Sequence, residues 1–151
     1  MTPADKAEAL LRRYFDACNA ADRAALVACF TDRATHWFPP GMPGGAWRGA
    51  EAIADGWVRF VDRLDAVWTV DRVCAAADGR DAVMEWSNWT RGRDGVERLT
   101  RGADWYRFDL HVRRITEVRA YFAAPLSSDL VAHELAEFDY ATRGYPIRRP
   151  D

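Results

Sequence analysis

Residues 97–108 read Glu97-Arg-Leu-Thr-Arg-Gly-Ala-Asp-Trp-Tyr-Arg-Phe108, and their alternation decides the fold. Side chains on a strand point to opposite faces in turn. One set is Thr100, Asp104, Tyr106 and Phe108; the other is Leu99, Arg101, Trp105 and Arg107. Residues 82–91 behave alike, with Met84, Trp86 and Asn88 against Val83, Glu85, Ser87 and Trp89. Residues 113–122 set Val118, Ala120 and Phe122 against Glu117, Arg119 and Tyr121. With residues 66–77 these make four predicted strands. The turns Ala77-Asp-Gly-Arg80, Arg93-Asp-Gly95 and Asp109-Leu-His111 join them into an antiparallel meander. The more apolar set of each strand is expected to face helices. That leaves Asp104 among aromatics, where a carboxyl must be paired, hydrogen-bonded or protonated.

Upstream the period is helical. Thr2 and Pro3 suit a helix start, and Leu10, Leu11, Tyr14, Phe15 and Cys18 form one apolar face. Asp22 can cap a second helix carrying Leu26, Val27 and Phe30. Thr35 to Phe38 reads as extended, and Pro39 to Gly49 as a loop. A third helix over residues 50–64 buries Ile53, Trp57, Phe60, Val61 and Leu64. A last amphipathic helix is predicted over 127–142, stopped by Gly144 and Pro146. Helices followed by strands give an α+β class. The expected form is a cone, with N-terminal helices packed on a strongly curved antiparallel sheet and a C-terminal helix added. The open end of such a cone is a natural pocket. One domain is expected over 1–151, with its core in 4–124 and the C-terminal helix and tail in 125–151.

Composition removes several function classes. The chain has 151 residues, 49% hydrophobic and 29% charged, with a net charge of −2. It reads as globular, with no electrostatic footprint for nucleic acid or a membrane surface. No apolar run is long enough to span a bilayer and no signal peptide is visible, so a cytoplasmic location is expected. Lys6 is the single lysine, which argues against a Schiff base or a phosphate loop. Ser87, Ser127 and Ser128 lack a nucleophile-elbow context. Cys18, Cys29 and Cys74 show no paired spacing and are expected to be reduced core residues. His36, His111 and His133 have no zinc-ligand spacing, so neither a metal nor a cofactor is expected. His111 and His133 are expected to face solvent.

Three further stretches carry a resemblance. Arg13-Tyr-Phe15 to Asn19-Ala-Ala-Asp22, Phe30-Thr-Asp-Arg-Ala-Thr35, and Trp47-Arg-Gly-Ala-Glu-Ala-Ile53 resemble the nuclear transport factor 2-like superfamily. The SnoaL-like and ketosteroid-isomerase-like branches are nearest. The likeness continues through Asp104-Trp-Tyr-Arg-Phe108 and Val118-Arg-Ala-Tyr-Phe122, covering Lys6 to Phe122. It implies the same cone and a homodimer. Ketosteroid isomerases place a tyrosine and a protonated aspartate around the developing oxyanion, and a second aspartate acts as base. Tyr14 and Asp104 fall at the first two positions. Phe38 falls at the base position, so the usual base is lost. Limonene-epoxide-hydrolase-like members need an Asp–Arg–Asp set, and Ala120 stands where its last-strand aspartate is expected.

The candidate catalytic residues are therefore Tyr14, His36 and Asp104. His36 lies two residues before Phe38 and offers an imidazole able to take and give a proton. Phe38, Trp57, Trp86, Asn88, Tyr106 and Phe122 are the candidate substrate-binding residues, five aromatics and one amide. The expected function is cofactor-free proton transfer on an aromatic or polycyclic carbonyl compound, of isomerase, cyclase or dehydratase type. The alternatives are a non-catalytic ligand-binding protein, or a dimerisation module using Glu85, Ser87, Trp89, Trp105, Arg107, Arg119 and Tyr121. The tail from Phe138 to Pro146 is expected to cover the pocket mouth or to dock on a partner subunit.

Overall fold

Helix α1 spans Pro3–Asn19, and its first turn is closed from both sides. The Thr2 hydroxyl accepts from the Asp5 amide at 3.1 Å, while the Asp5 carboxylate accepts from the Thr2 amide at 2.8 Å. Helix α2 (Arg23–Cys29) is capped by the Asp22 side chain and runs straight into strand β1 (Phe30–Trp37). The two-residue β2 (Trp47–Arg48) pairs back onto β1, and α3 (Ala50–Leu64) follows. A Cβ on Gly56 would lie 2.6 Å from Trp47 Cζ3. A glycine inside α3, costly for helix propensity, is what lets that indole press on the helix.

The remaining strands are β3 (Val67–Ala75), β4 (Asp81–Arg91), β5 (Glu97–Asp109), β6 (Arg114–Phe122) and β7 (Ala132–His133). The computed structural model describes residues 1–42, 44–122 and 130–151. The sheet order is β2-β1-β6-β5-β4-β3, with β7 beside β5. β3 to β6 form the expected antiparallel meander. The sheet as a whole is mixed, because β1 runs parallel to β6 and β7 parallel to β5. α3 and four strands separate β1 from β6 along the chain, so no tight turn imposes antiparallel pairing. The three helices pack on this curved, unclosed sheet. Leu10, Leu11, Tyr14 and Cys18 of α1 share a core with Met84, Tyr106, Phe108, Ile115 and Val118 of the sheet.

The C-terminal stretch departs from expectation. Residues 130–142 form no helix, and residues 127–129 lie outside the described residues. The periodic apolar residues Leu130, Val131 and Leu135 are exposed, so no buried stripe holds a helix together. Aromatic and ionic docking wins instead. Phe138, Tyr140 and Tyr145 pack on one another, and each ring takes one guanidinium: Arg143, Arg101 and Arg72 respectively. Arg101 is buried on the outer face of β5. It donates to Glu134 at 2.6 Å, to Ser87 Oγ at 2.9 Å and to the Pro146 carbonyl at 3.0 Å. Tyr145 hydrogen-bonds Glu85. So Glu85 and Ser87 of the predicted outward set are engaged by this chain's own C-terminal docking, while Trp105 and Tyr121 stay 41% and 61% exposed.

Two smaller expectations change. Cys18 and Cys29 are buried free thiols, but Cys74 is exposed. His133 is half-buried on β7 rather than solvated, whereas His111 is exposed. No described helix is long and apolar enough to cross a membrane.

Arg101 yields a stability prediction. Glu134→Ala leaves a buried guanidinium short of its carboxylate and should cost about 1–3 kcal/mol. Arg12→Ala, which breaks only an exposed helical pair with Glu8, should cost about 0.5 kcal/mol or less. Urea denaturation of both variants checks the ordering; equal losses would show that Arg101 does not anchor the segment.

Candidate functional site

Helices α1 and α3 and the end of β1 form one wall of a cavity of about 200 Å³; β4, β5 and β6 form the other. Tyr14 comes from α1, Trp57 from α3, and His36 and Phe38 from β1 and the residue after it. Trp86 and Asn88 face them from β4, Asp104 from β5 and Phe122 from β6. The strand alternation thus brings together every sequence-predicted site residue but one. Tyr106 is fully buried behind Asp104 and does not line the cavity.

That displaced tyrosine has a task. The Tyr106 hydroxyl donates to Asp104 Oδ2 at 2.8 Å. Asp104 is only 4% exposed, and its Oδ1 has no hydrogen-bond partner among the described residues. Burial pushes its pKa up to about 7, with Trp86 and Tyr106 beside it only partly offsetting that rise. Among the described residues no lysine or arginine lines the cavity to hold the carboxylate form. Burial also raises the Tyr14 phenol well above its ordinary range, and Cys18 and Asp104 add to this. Tyr14 therefore keeps its proton at neutral pH, and Asp104 keeps one in a large fraction of molecules.

His36 occupies the opposite condition. It is 1% exposed and stacks on Phe38 with ring centroids 4.2 Å apart. Trp57 meets it edge-on at 5.4 Å. Neither ring nitrogen has a partner among the described residues. Burial lowers its pKa to about 3, against a small opposing pull from the Trp37 backbone. The sequence suggested an imidazole titrating near neutrality; the apolar stack holds it neutral instead.

Asn88 donates to the Val67 carbonyl at 3.2 Å, which fixes its amide. A Cβ on Gly102 would sit 2.4 Å from Trp86 Cζ2, so glycine there lets the indole lie across β5. Sequence reasoning did not assign Phe15, Cys18, Phe60, Trp68 and Thr100 to the cavity. Thr100 was legible, since it shares the inward face of Asp104. It also registers between Asn88 and His133, whose Nδ1 lies 3.5 Å from Thr100 Oγ1. Ala120 registers opposite Asp104, so no second carboxylate stands there. Among the described residues no cluster of three or more His, Cys, Asp or Glu side chains could hold a metal ion.

Comparison with known proteins agrees with this architecture. The model of the SnoaL-like domain family, within the nuclear transport factor 2-like superfamily, matches residues 11–118. No curated protein matches the sequence. A protein of unknown function with a cystatin-like fold from Methylobium petroleophilum PM1 is 38% identical, with a TM-score of 0.75, covering 98% of this chain and 95% of that one. A putative polyketide cyclase from Xanthomonas campestris pv. campestris is 19% identical, with a TM-score of 0.70, covering 80% and 92%. A Mycobacterium tuberculosis protein in complex with estradiol-17β-hemisuccinate is 18% identical, with a TM-score of 0.67, covering 83% and 96%. At such identities the last two show the fold alone.

The two buried titratable groups give opposite pH dependences. Folded Asp104 binds its proton more tightly than the unfolded chain does, so its contribution to stability falls as pH rises from about 4 through about 7. Asp104→Asn should therefore gain on the wild type across that window, by on the order of 4 kcal/mol. Folded His36 binds its proton less tightly, so its contribution falls as pH drops from 6.5 toward about 3. His36→Phe should gain on the wild type below about pH 6 and not above it. Denaturant titrations from pH 4 to pH 8 check both; difference curves flat with pH would contradict the assigned protonation states.

Proposed function

The chain belongs to the SnoaL-like domain family, and on that footing we propose that its cavity binds a small neutral carbonyl compound and moves a proton beside the carbonyl. The carrying observation is that Asp104, its pKa raised by burial and its Oδ1 without a bonded partner among the described residues, lies buried in the same cavity as Tyr14. A protonated carboxyl and a phenol are two donors for one oxygen. Donors already in place act most strongly where charge develops, because a dry site screens little and needs no reorganisation.

His36 is the base in this reading. The Cα–H proton passes to a ring nitrogen of the neutral imidazole. The C–H electron pair becomes the enolate double bond, and the carbonyl oxygen takes the negative charge. An imidazole with so low an affinity for protons accepts one only as negative charge forms beside it. Return of the proton to another carbon gives isomerisation; loss of a β-hydroxyl gives dehydration; attack of the enolate on a second carbonyl gives cyclisation. Benzene fills a cavity of about 150 Å³, so about 200 Å³ favours one or two rings over four. The aromatic walls, Trp86 and Phe122 on the sheet and Trp57 and Phe38 opposite, suit a flat ligand.

A second reading rests on the stacked pair itself. Phe38 stands at the base position of the resembling isomerases, and His36 holds its protons weakly. A site of that kind can bind a carbonyl compound without converting it.

Deuterium exchange separates the two. 2-Tetralone in D2O should lose its α-proton signals faster with the protein than in buffer, followed by proton NMR. Tyr14→Phe and Asp104→Asn should each slow the exchange by on the order of 100-fold, and His36→Gln should abolish it. Binding of 2-tetralone with exchange at the buffer rate would select the non-catalytic reading.

A further inference from the structure

The sheet wall of the cavity carries polar side chains at two separate places. The inward residues of β4 and β5 pair across in rows: Met84 with Asp104, Trp86 with Gly102, and Asn88 with Thr100. Thr100 lies four residues from Asp104 on the same face, roughly 13 Å away at about 3.3 Å per residue. In the row between them, the Trp86 ring covers Gly102 and leans toward Asp104. Its N–H belongs with the Asp104 corner, as the Trp57 N–H does with Tyr14. The far row is served by its own groups. Thr100 and Asn88 both line the cavity. The Asn88 amide nitrogen donates to the Val67 carbonyl, which fixes the amide and leaves its oxygen as an acceptor. β7 registers His133 beside Thr100, with Nδ1 3.5 Å from Oγ1. At that length the imidazole holds the hydroxyl only weakly, and a hydroxyl has one proton and two lone pairs to offer.

We propose that Thr100 and Asn88 form a second recognition point, and that the ligand is a ring compound carrying a hydroxyl at the end opposite its carbonyl. The inference rests on the reading above, in which Tyr14 and Asp104 take the carbonyl oxygen. A hydroxyl fits the far row because it donates to the Asn88 oxygen and accepts from the Thr100 hydroxyl at once; a second ketone only accepts. Asn88 is 5% exposed, so a ligand without that hydroxyl strips water from the amide oxygen and returns nothing. Hydrogen bonds of about 2.8 Å at both ends leave roughly 7–8 Å between the two ligand oxygens, the span across two fused six-membered rings. The Trp86 ring lies between the two points, where those rings would rest.

Three ketones test this by titration calorimetry. 2-Tetralone has no hydroxyl, 6-hydroxy-2-tetralone carries one at the far end, and 8-hydroxy-2-tetralone carries one on the carbonyl's side. The wild type should bind the 6-hydroxy compound about fivefold more tightly than 2-tetralone, and the 8-hydroxy compound no more tightly. Thr100→Val, which keeps the β-branched shape and removes the hydroxyl, should erase the preference for the 6-hydroxy compound. Thr100→Ser should keep it. Should the valine variant fail to fold, the wild-type ranking of the three ketones still decides. Equal affinity for 2-tetralone and its 6-hydroxy derivative, an 8-hydroxy compound that binds as well as the 6-hydroxy one, a preference undiminished in Thr100→Val, or no binding of any of the three would overturn the proposal. These are binding measurements, so failure of α-deuteration alone leaves them intact and removes only the catalytic reading. A preference lost in Thr100→Val, with Tyr14→Phe and Asp104→Asn binding all three ketones as the wild type does, would support the far row and remove the carbonyl corner.

Discussion

Desolvation of one carboxyl organises the interior. Asp104 sits on an inward strand position between aromatic rings, and the Tyr106 hydroxyl satisfies one of its oxygens. A guanidinium in that place would have fixed the charged form and made a structural ion pair. Among the described residues none lines the cavity, so burial lifts the carboxyl's pKa to about 7 and its Oδ1 has no bonded partner there. The rest of the site follows from that choice. Tyr14 stays protonated in the same apolar surroundings, and His36 stays neutral against Phe38. Burial thus pushes all three groups toward their neutral forms, and the dry setting that does this also strengthens each hydrogen bond they make.

Glycine placement makes room for this arrangement. Gly102 admits the Trp86 indole across β5, and Gly56 admits Trp47 against α3. At Gly102 this lets a large ring line the small cavity; at Gly56 it lets Trp47 press on α3 outside it. Docking on the outer face is handled separately. Arg101 points away from the cavity, yet it is the neighbour of both Thr100 and Gly102. The wall that carries the site is thus held from behind by Glu134 and Pro146, while Ser87 ties Arg101 to the neighbouring β4.

Much of this was legible in the residues. Period-2 alternation placed Met84, Trp86, Asn88, Thr100 and Asp104 on one face, and the caps at Thr2 and Asp22 fixed the first two helix starts. Helical spacing put Tyr14 on the buried side of α1. What escaped were properties set by partners distant in sequence. Alternation alone does not say that Tyr106, two residues along, turns from the ligand to the carboxyl. Nor does it say that a histidine ends between phenylalanine and tryptophan rings with its pKa driven down. The C-terminal error has a different origin. Leu130, Val131, Leu135 and Phe138 carry helical spacing, but Tyr140 and Tyr145 find arginines on β5 and β3 while Phe138 packs under Arg143 of the same segment, and those contacts outweigh local periodicity.

The length mismatch between β5 and β6 has a consequence for biosynthesis. β6 ends opposite Gly102, so the Leu99 amide finds its acceptor in the Val131 carbonyl, at 2.8 Å. That carbonyl lies beyond the helices and the first six strands in chain order. The free edge of β5 beyond Gly102 is therefore the last stretch of the sheet for which a newly made chain can supply partners.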